Sequence, residues 1–575
     1  MRYLQTLARR ATGLSLAILL AVPAFAAEPS DTATKRQEDL DALYHQVLEA
    51  QHPNLFANTP ETEFLALKAE IEGRLETERD TEFLLDLMRL TALAGDAHTS
   101  ISDIGAAAEQ LRYYPLSMGL WDGKWHLTTL PTLEKDSLGK RVDTINGKST
   151  EEIVEAFAPL LSADNPTILA RRFRQYCQIA DIYEYLGLAK AETPLTLTLE
   201  GGKTLSLELA PYSALEKAEL AYLSDQITRQ PTTAQTDAYY FAKPLDASTY
   251  YIQYNACMED EDLPMEDFAA AVAGELNAGA YTRVLLDLRN NGGGSDGVIW
   301  PLFEVLRQAM DGGAELVGLI GARTFSSALI NAVEIQEMGG VLAGESTGGS
   351  VCHFGAVRTF TLPNSGIRGQ VSSKYIDLNT LMDAGAGRGV EALEPDISIP
   401  QSLPDTLAGK DTVVDWLLNH PEKLEAKEYP DAPLTRGRFI GQLYAALGSP
   451  AVKAEELPFP DSFGIEWYLP ALTWAKEAGV AKGYLNGDFA AAKPISWREA
   501  AVFLNRAAET PGLSAPDPSD GRRGPIPAAL ASGWEQGAVT SAWDRNLLPD
   551  GADFTQGLTR AQGQALAGAL AKLLP

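Results

Sequence analysis

The sequence predicts a multidomain α/β protein, and three observations carry that prediction. Residues from about Ser248 to Pro400 alternate strand-like and helical runs, the pattern of a sheet covered by helices. Residues from about Thr32 onward carry apolar side chains at helical spacing. Beyond a Pro-rich boundary at Tyr429-Pro430-Asp431-Ala432-Pro433, the tail repeats one short pattern three times. At roughly 100–200 residues per domain, a chain of 575 residues suggests three or four domains. The expected boundaries are a leader at 1–26, a helical domain at 30–111, a mixed module at 112–215, an α/β core at 235–402 and helical repeats at 430–575.

The leader is read from Arg2, Arg9 and Arg10, the apolar run Ala11 to Val22, and the small residues of Ala24-Phe25-Ala26. That is a secretory signal cut after Ala26. The run is short for a membrane span, no Cys follows it, and no later run is long enough to cross a bilayer. An exported chain with no membrane span after cleavage is expected.

In the helical domain, Leu40, Leu43, Tyr44, Val47 and Leu48 share one face, as do Phe83, Leu84, Leu87, Met88 and Leu90. Pro53 ends the first helix, helical character is expected as far as Asp103, and the loop Gly95-Asp96-Ala97-His98-Thr99 lies near its end. In the mixed module, Trp125 to Leu130 alternates like a strand. Val142 to Ile145 enters an Asn146-Gly147 turn, and Thr150-Glu151-Glu152-Ile153 opens a helix. Leu195–Leu199 and Leu205–Leu209 flank Gly201-Gly202 as a hairpin. In the core, strands are expected at Tyr250–Tyr254, Val284–Leu288, Leu316–Ile320 and Val341–Ala343. Helices are expected at Phe268–Leu276, Val298–Met310 and Leu329–Met338.

Asp plus Glu numbers 77 and Lys plus Arg 47, a net charge of −30. Phosphate backbones repel such a chain, so no nucleic-acid partner is expected. The three cysteines, Cys177, Cys257 and Cys352, are too few for a disulfide framework and read as buried thiols. Cys352 lies close enough to the candidate site to be an alternative catalytic group. No His, Cys or Asp cluster has metal-ligand spacing, so neither metal nor cofactor is expected.

Three segments could carry chemistry. Asp287-Leu288-Arg289-Asn290-Asn291-Gly292-Gly293-Gly294 runs a hydrophobic strand into three glycines, whose amides can be approached closely and can serve as oxyanion donors. Arg323-Thr324-Phe325-Ser326-Ser327-Ala328 lies at a strand-to-helix turn. A Ser there is exposed beside the positive end of a helix dipole, which suits a nucleophile; either serine could equally be the helix N-cap. Gly344-Glu345-Ser346-Thr347-Gly348-Gly349-Ser350 follows the next strand.

In this order, with Glu394-Pro395-Asp396-Ile397 closing the region, the segments resemble the tail-specific (C-terminal processing) serine peptidases. The helical segment ending in Gly-Asp-x-His-Thr is similar to their tricorn-core-like subgroup. The resemblance spans about residues 35–402. It implies a ClpP/crotonase-like core and a PDZ-like module at 112–215. It also implies Ser326 as nucleophile, His98 as general base, and Gly292 or Gly293 with Ser327 as oxyanion donors. Asp383, Glu391 and Glu394 are candidates for an orienting acid, and His353 and Lys374 are alternative bases. Two positions depart from the family pattern: Ser350 stands where one branch has its Lys base, and Leu329 where Glu is frequent.

The tail repeats Leu434-Thr435-Arg436-Gly437-Arg438-Phe439, Ile495-Ser496-Trp497-Arg498-Glu499-Ala500 and Leu558-Thr559-Arg560-Ala561-Gln562-Gly563. They resemble S-layer homology (SLH) repeats, which implies docking to a bacterial cell-wall polymer. The family's Thr-Arg-Ala-Glu tetrad is intact in no copy. The expectation is thus an exported, cell-wall-tethered serine endopeptidase acting on peptides or unfolded proteins. Its alternative is a surface protein that binds peptides or wall polymer without turnover.

Overall fold

The computed structural model describes residues 30–572 apart from 104–108, 216, 228–236, 379–390, 427–430, 453–457, 461–468, 492 and 511–523. The expected leader and Asp383 lie outside the described residues. The chain divides into two compact units. One holds residues up to Ala332 with Gly340–Ile376 and Glu394–Leu424; the other holds Val333–Gly339, Asp377–Leu393 and Glu425–Pro575.

In the first unit the helical periodicity becomes α1 (Asp31–Asp41), α2 (Glu61–Glu72) and α3 (Asp80–Ala92). Ser30 caps α1 by accepting from the Ala33 amide. The chain does not stay helical to Asp103: it turns at Gly95, φ +58, and leaves as strand β1 (Ser100–Asp103). The partner of β1 is about 270 residues away, with Ser100 paired to Gln370 and Ile101 to Gly369. No local pattern could announce that pairing.

The mixed segment builds β2 (Ser117–Trp121), β3 (Lys124–Pro131), β4 (Val142–Ile145), α4 (Thr150–Phe157), α5 (Pro166–Tyr176), β5 (Leu195–Leu199) and β6 (Thr204–Leu207). The Asn146-Gly147 turn has φ +50 and +80, the two positive values a tight type I′ turn requires. Ser149, one residue before the expected start, caps α4 in a capping box with Glu152. Leu84 and Leu87 of α3 share a single core with Ile145, Phe157, Phe173 and Leu197. The helical and mixed segments therefore pack as one body.

The α/β region contains β7 (Tyr240–Pro244), β8 (Thr249–Tyr254), α6 (Met265–Ala278), β9 (Arg283–Asp287), α7 (Trp300–Asp311), β10 (Glu315–Ile320), α8 (Ser327–Glu337) and β11 (Val341–Gly344). They are followed by β12 (Cys352–Gly355), β13 (Arg358–Thr361), β14 (Arg368–Val371), β15 (Ile397–Ser398) and α9 (Thr412–Asn419). The main sheet runs β7-β8-β9-β10-β11-β15, parallel except for the edge strand β7. Tyr251, Leu285, Leu286, Val317 and Leu319 are each 0% exposed, as expected of parallel strands covered on both faces. The three glycine- and serine-bearing segments are the loops at the carboxyl ends of β9, β10 and β11. That is where ligands sit in parallel α/β sheets.

Arg289 fixes the end of β9. It bonds both carboxylate oxygens of Asp287 (3.0 and 2.7 Å) and both of Asp411 (2.9 and 2.8 Å). The Tyr251 hydroxyl donates to Asp287 at 2.7 Å. The Asp-x-Arg part of the first motif is thus a buried clamp.

The second unit carries α10 (Arg436–Ala446), α11 (Leu469–Glu477), α12 (Trp497–Ala508), α13 (Gln536–Asp544) and α14 (Arg560–Ala571). Thr435, Ser496 and Thr559 are the N-caps of α10, α12 and α14. The residues before them close a ring of three backbone hydrogen bonds. The Leu434 amide donates to Leu558 (2.8 Å), Ile495 to Leu434 (2.9 Å) and Leu558 to Ile495 (3.2 Å). The three sequence copies are therefore three equivalent positions around one axis. Arg436 is buried, paired to Glu499 at 2.8 Å, with its guanidinium over the rings of Tyr484, Phe489 and Phe503.

Candidate active site

The three loops interlock. The Phe325 amide donates to the Asn291 carbonyl (3.2 Å), and the Gly348 and Gly349 amides donate to the Thr324 carbonyl (3.1 and 3.2 Å). The Thr324 hydroxyl donates to the Leu288 carbonyl (2.9 Å). A Cβ on Gly293, which has φ +104, would lie 2.7 Å from the Ser326 Cβ and 3.1 Å from the Ser327 amide nitrogen. Only glycine lets the first loop approach the second this closely.

Ser326 has φ +55, a left-handed conformation that costs a non-glycine residue roughly 1–3 kcal/mol. The two serines differ in what they touch. The Ser327 hydroxyl donates to the Gly294 carbonyl at 2.8 Å, whereas the Ser326 hydroxyl makes no hydrogen bond among the described residues. Neither hydroxyl caps α8.

The expected oxyanion donors also separate. The Gly293 amide donates to Asn291 Oδ1 at 2.9 Å. The amides of Gly292 and Ser327 donate to nothing among the described residues and remain available. Asn291 is fully buried and donates from Nδ2 to the Tyr254 carbonyl at 3.0 Å, so it shapes the glycine loop from beneath. Sequence reasoning passed over it. The available signal was an amide side chain immediately before three glycines.

His98, more than two hundred residues from Ser326 in sequence, stacks on Phe325 with ring centroids 4.3 Å apart and on His353 at 5.3 Å. It is 4% exposed, and neither ring nitrogen makes a hydrogen bond of ordinary geometry. A backbone group of Phe354 lies near enough to favour the charged ring slightly. Burial, helped by the adjacent His353, pushes its pKa down to about 4, so the imidazole is neutral at pH 7 and can accept a proton.

The loop that carries His98 is held by Asp96. This buried carboxylate accepts from the His98 amide (2.8 Å), the Thr99 hydroxyl (2.6 Å) and the Ser372 hydroxyl (2.6 Å). His52 Nε2 lies 3.4 Å from it. Gln370 donates to the His98 carbonyl (3.0 Å) and Arg172 to the Ala97 carbonyl (2.9 Å). Pairing of β1 with β14 thus carries the N-terminal histidine to the loops of the sheet.

Of the expected acids, Asp383 lies outside the described residues. Glu394 is exposed and accepts from the Ser346 hydroxyl (2.8 and 2.7 Å), and Glu391 is exposed. Asp96 is the carboxylate at the ring, its Oδ1 3.9 Å from His98 Nδ1. Of the alternative bases, Lys374 is exposed. His353 is buried and donates from Nδ1 to the Ser350 carbonyl at 2.7 Å, which leaves Nε2 as a bare acceptor when the ring is neutral. Ser350, in the position of a Lys base, accepts from Asn165 at 2.9 Å; burial pushes the neighbouring Asp164 up to about 7. The three cysteines are free thiols. Among the described residues no helix is long and apolar enough to cross a membrane.

The comparisons with known proteins bear on both units. The model of the S-layer homology domain matches residues 458–501, so that domain lies within the second unit. No curated protein matches the chain. Among solved structures, mature CPAF is similar at 13% identity and a TM-score of 0.46, over 68% of this chain and 96% of that one. CPAF complexed with lactacystin is similar at 13% identity and a TM-score of 0.45, over 68% and 98%. The photosystem II D1 C-terminal processing protease is similar at 14% identity and a TM-score of 0.29, over 64% and 93%.

Proposed function

We propose that the first unit is a serine endopeptidase and that the SLH repeats tether it, after export, to a cell-wall polymer. The observation that carries this reading is the meeting of His98 with the Phe325-Ser326 turn. Two segments far apart in sequence are folded so that a neutral, buried imidazole stacks on the ring of Phe325, the residue before a strained serine with an unengaged hydroxyl. In the reaction, His98 takes the Ser326 proton as Oγ attacks the peptide carbonyl. The amides of Gly292 and Ser327 receive the developing oxyanion. The protonated imidazole, favoured by Asp96, returns the proton to the leaving amine. Water then hydrolyses the acyl-enzyme with His98 again as base. Hydrogen bonds between a catalytic serine and its histidine tighten when substrate binds.

Tethering is supported by the three equivalent capped helix starts around one axis and the matched domain at 458–501. Hydrolysis of an unfolded protein by the full chain tests the enzyme reading. Ser326→Ala and His98→Ala should each abolish turnover, and full activity in both variants would refute the assignment.

A further inference from the structure

In a chain with 77 acidic residues, three arginines gather near the turn that leads into the candidate nucleophile, without an acidic partner among the described residues. Ile168, Arg171 and Arg174 follow one another at three-residue intervals on α5, so they form one row along the helix. Ile168 reaches the third loop, which itself lies on the start of the Ser326 turn: a Cβ on Gly348 would lie 3.8 Å from Ile168 Cδ1 and 2.3 Å from the Ala322 carbonyl oxygen. Asn165, the N-cap of α5, also donates to the Gly348 carbonyl at 3.1 Å. Arg323 directly follows Ala322 and precedes Ser326 by three residues, a Cα separation of at most about 11 Å. The three guanidinium groups sense one another: Arg171 lies in the repulsive field of Arg323, Arg172 and Arg174, and Arg323 in that of Arg174. Arg172 is committed to the Ala97 carbonyl. Arg171, Arg174 and Arg323 form no ion pair among the described residues. Arg174 and Arg323 are exposed.

Like charges held together without counter-charge oppose folding, and a bound anion relieves the repulsion. Guanidinium groups pair carboxylates through two parallel hydrogen bonds. We propose that Arg171, Arg174 and Arg323 form a carboxylate-binding subsite beside Ser326, so that the enzyme selects peptides carrying a carboxylate near the scissile bond. The carboxylate is a Glu or Asp side chain of the peptide. This inference rests on the peptidase reading above.

Matched fluorogenic peptides test it. One set carries Glu, Gln or Lys at the positions flanking the scissile bond. The other ends just beyond that bond in a free carboxylate or an amide. With the wild-type chain, kcat/KM should favour the Glu peptide over the Gln peptide by about tenfold or more, the worth of one charge-assisted hydrogen bond. A preference confined to the set with the free carboxylate would overturn the side-chain subsite. The double variant Arg174→Gln/Arg323→Gln should bring that ratio close to one, with turnover of the Gln peptide reporting that the chain is folded. Arg174→Glu/Arg323→Glu should favour the Lys peptide. Anisotropy measures binding of the same peptides to Ser326→Ala, where the preference should persist without catalysis. Binding to Ser326→Ala within twofold for all members of both sets would overturn the subsite. Selective binding with no turnover by the wild-type chain would keep the subsite and overturn the peptidase reading instead.

Discussion

Gly293→Ala is the substitution whose effect the structure specifies most fully. Two costs arise. Gly293 has φ +104, and holding alanine there costs roughly 1–3 kcal/mol. The new methyl would also sit 2.7 Å from the Ser326 Cβ and 2.9 Å from the Phe325 carbonyl oxygen. Both belong to the interlocked turn, so relief requires the two loops to part, at roughly another 1–3 kcal/mol. Gly313 is the matched control: its φ is +98, and a Cβ there meets nothing within 4 Å. Gly313→Ala should therefore cost only the backbone strain. Denaturant unfolding of both variants isolates the contact cost as their difference. For function, parting the loops displaces the Gly292 amide from Ser326. Loss of one oxyanion donor lowers kcat by about 10²–10³. Gly313→Ala should hydrolyse peptides at the wild-type rate. Equal stability of the two variants, together with wild-type turnover by Gly293→Ala, would refute the geometry assigned to the glycine loop.

Three further outcomes follow from other parts of the chain. Arg289→Ala strands the carboxylates of Asp287 and Asp411, both almost fully buried. It should destabilise the first unit by about 3–5 kcal/mol in denaturant titrations. His98 titrates near 4 when folded, below an unfolded histidine near 6.5, so the unfolded chain binds the proton first as pH falls. The stability from the neutral ring is complete above pH 6.5 and is lost between there and about pH 4. The acid limb of kcat/KM should accordingly fall near pH 4, and a limb near 6.5 would exclude the buried ring as the base. Arg436→Ala removes a buried cation from over three aromatic rings and leaves Glu499 with Lys493, 3.6 Å away, as its remaining ion pair. It should destabilise the second unit by about 1.5–3 kcal/mol, the worth of a hydrogen bond between charged groups, and, on the proposed tethering, weaken co-sedimentation of the chain with cell-wall polymer.

What could be read from the sequence was local. Strands β8 to β11 were legible because buried parallel strands are mostly apolar, and β8, β9 and β10 are each followed by a helical run. The Asn146-Gly147 turn was legible because its backbone needs residues that tolerate positive φ. The roles of Ser326 and His98 come from the resemblance to the processing peptidases, because the residues alone leave Ser326 and Ser327 as N-cap candidates and His98 as a loop histidine. Contacts set by distant pairing were hidden. The helical pattern before Gly95 gave no sign that Ser100 would join Gln370, although that pairing carries His98 to the sheet. Asn291 looked like part of a loop until its side chain was seen bridging Tyr254 and Gly293. Asp96 is two residues from His98, but nothing in the local sequence distinguishes it as an orienting acid from Asp383, Glu391 or Glu394. The row of α5 that bears Arg171 and Arg174 is an ordinary helical spacing, and it gains meaning only beside Arg323.

The central claim is that Ser326 is a nucleophile activated by a histidine from the other end of the first unit. A fluorophosphonate probe, which reacts with activated serines, tests it on the folded full chain. Labelling should appear on the wild-type protein, map to Ser326, vanish in Ser326→Ala and fall sharply in His98→Ala. Folded wild-type protein that takes up no probe, or labelling that persists in Ser326→Ala, would contradict the account.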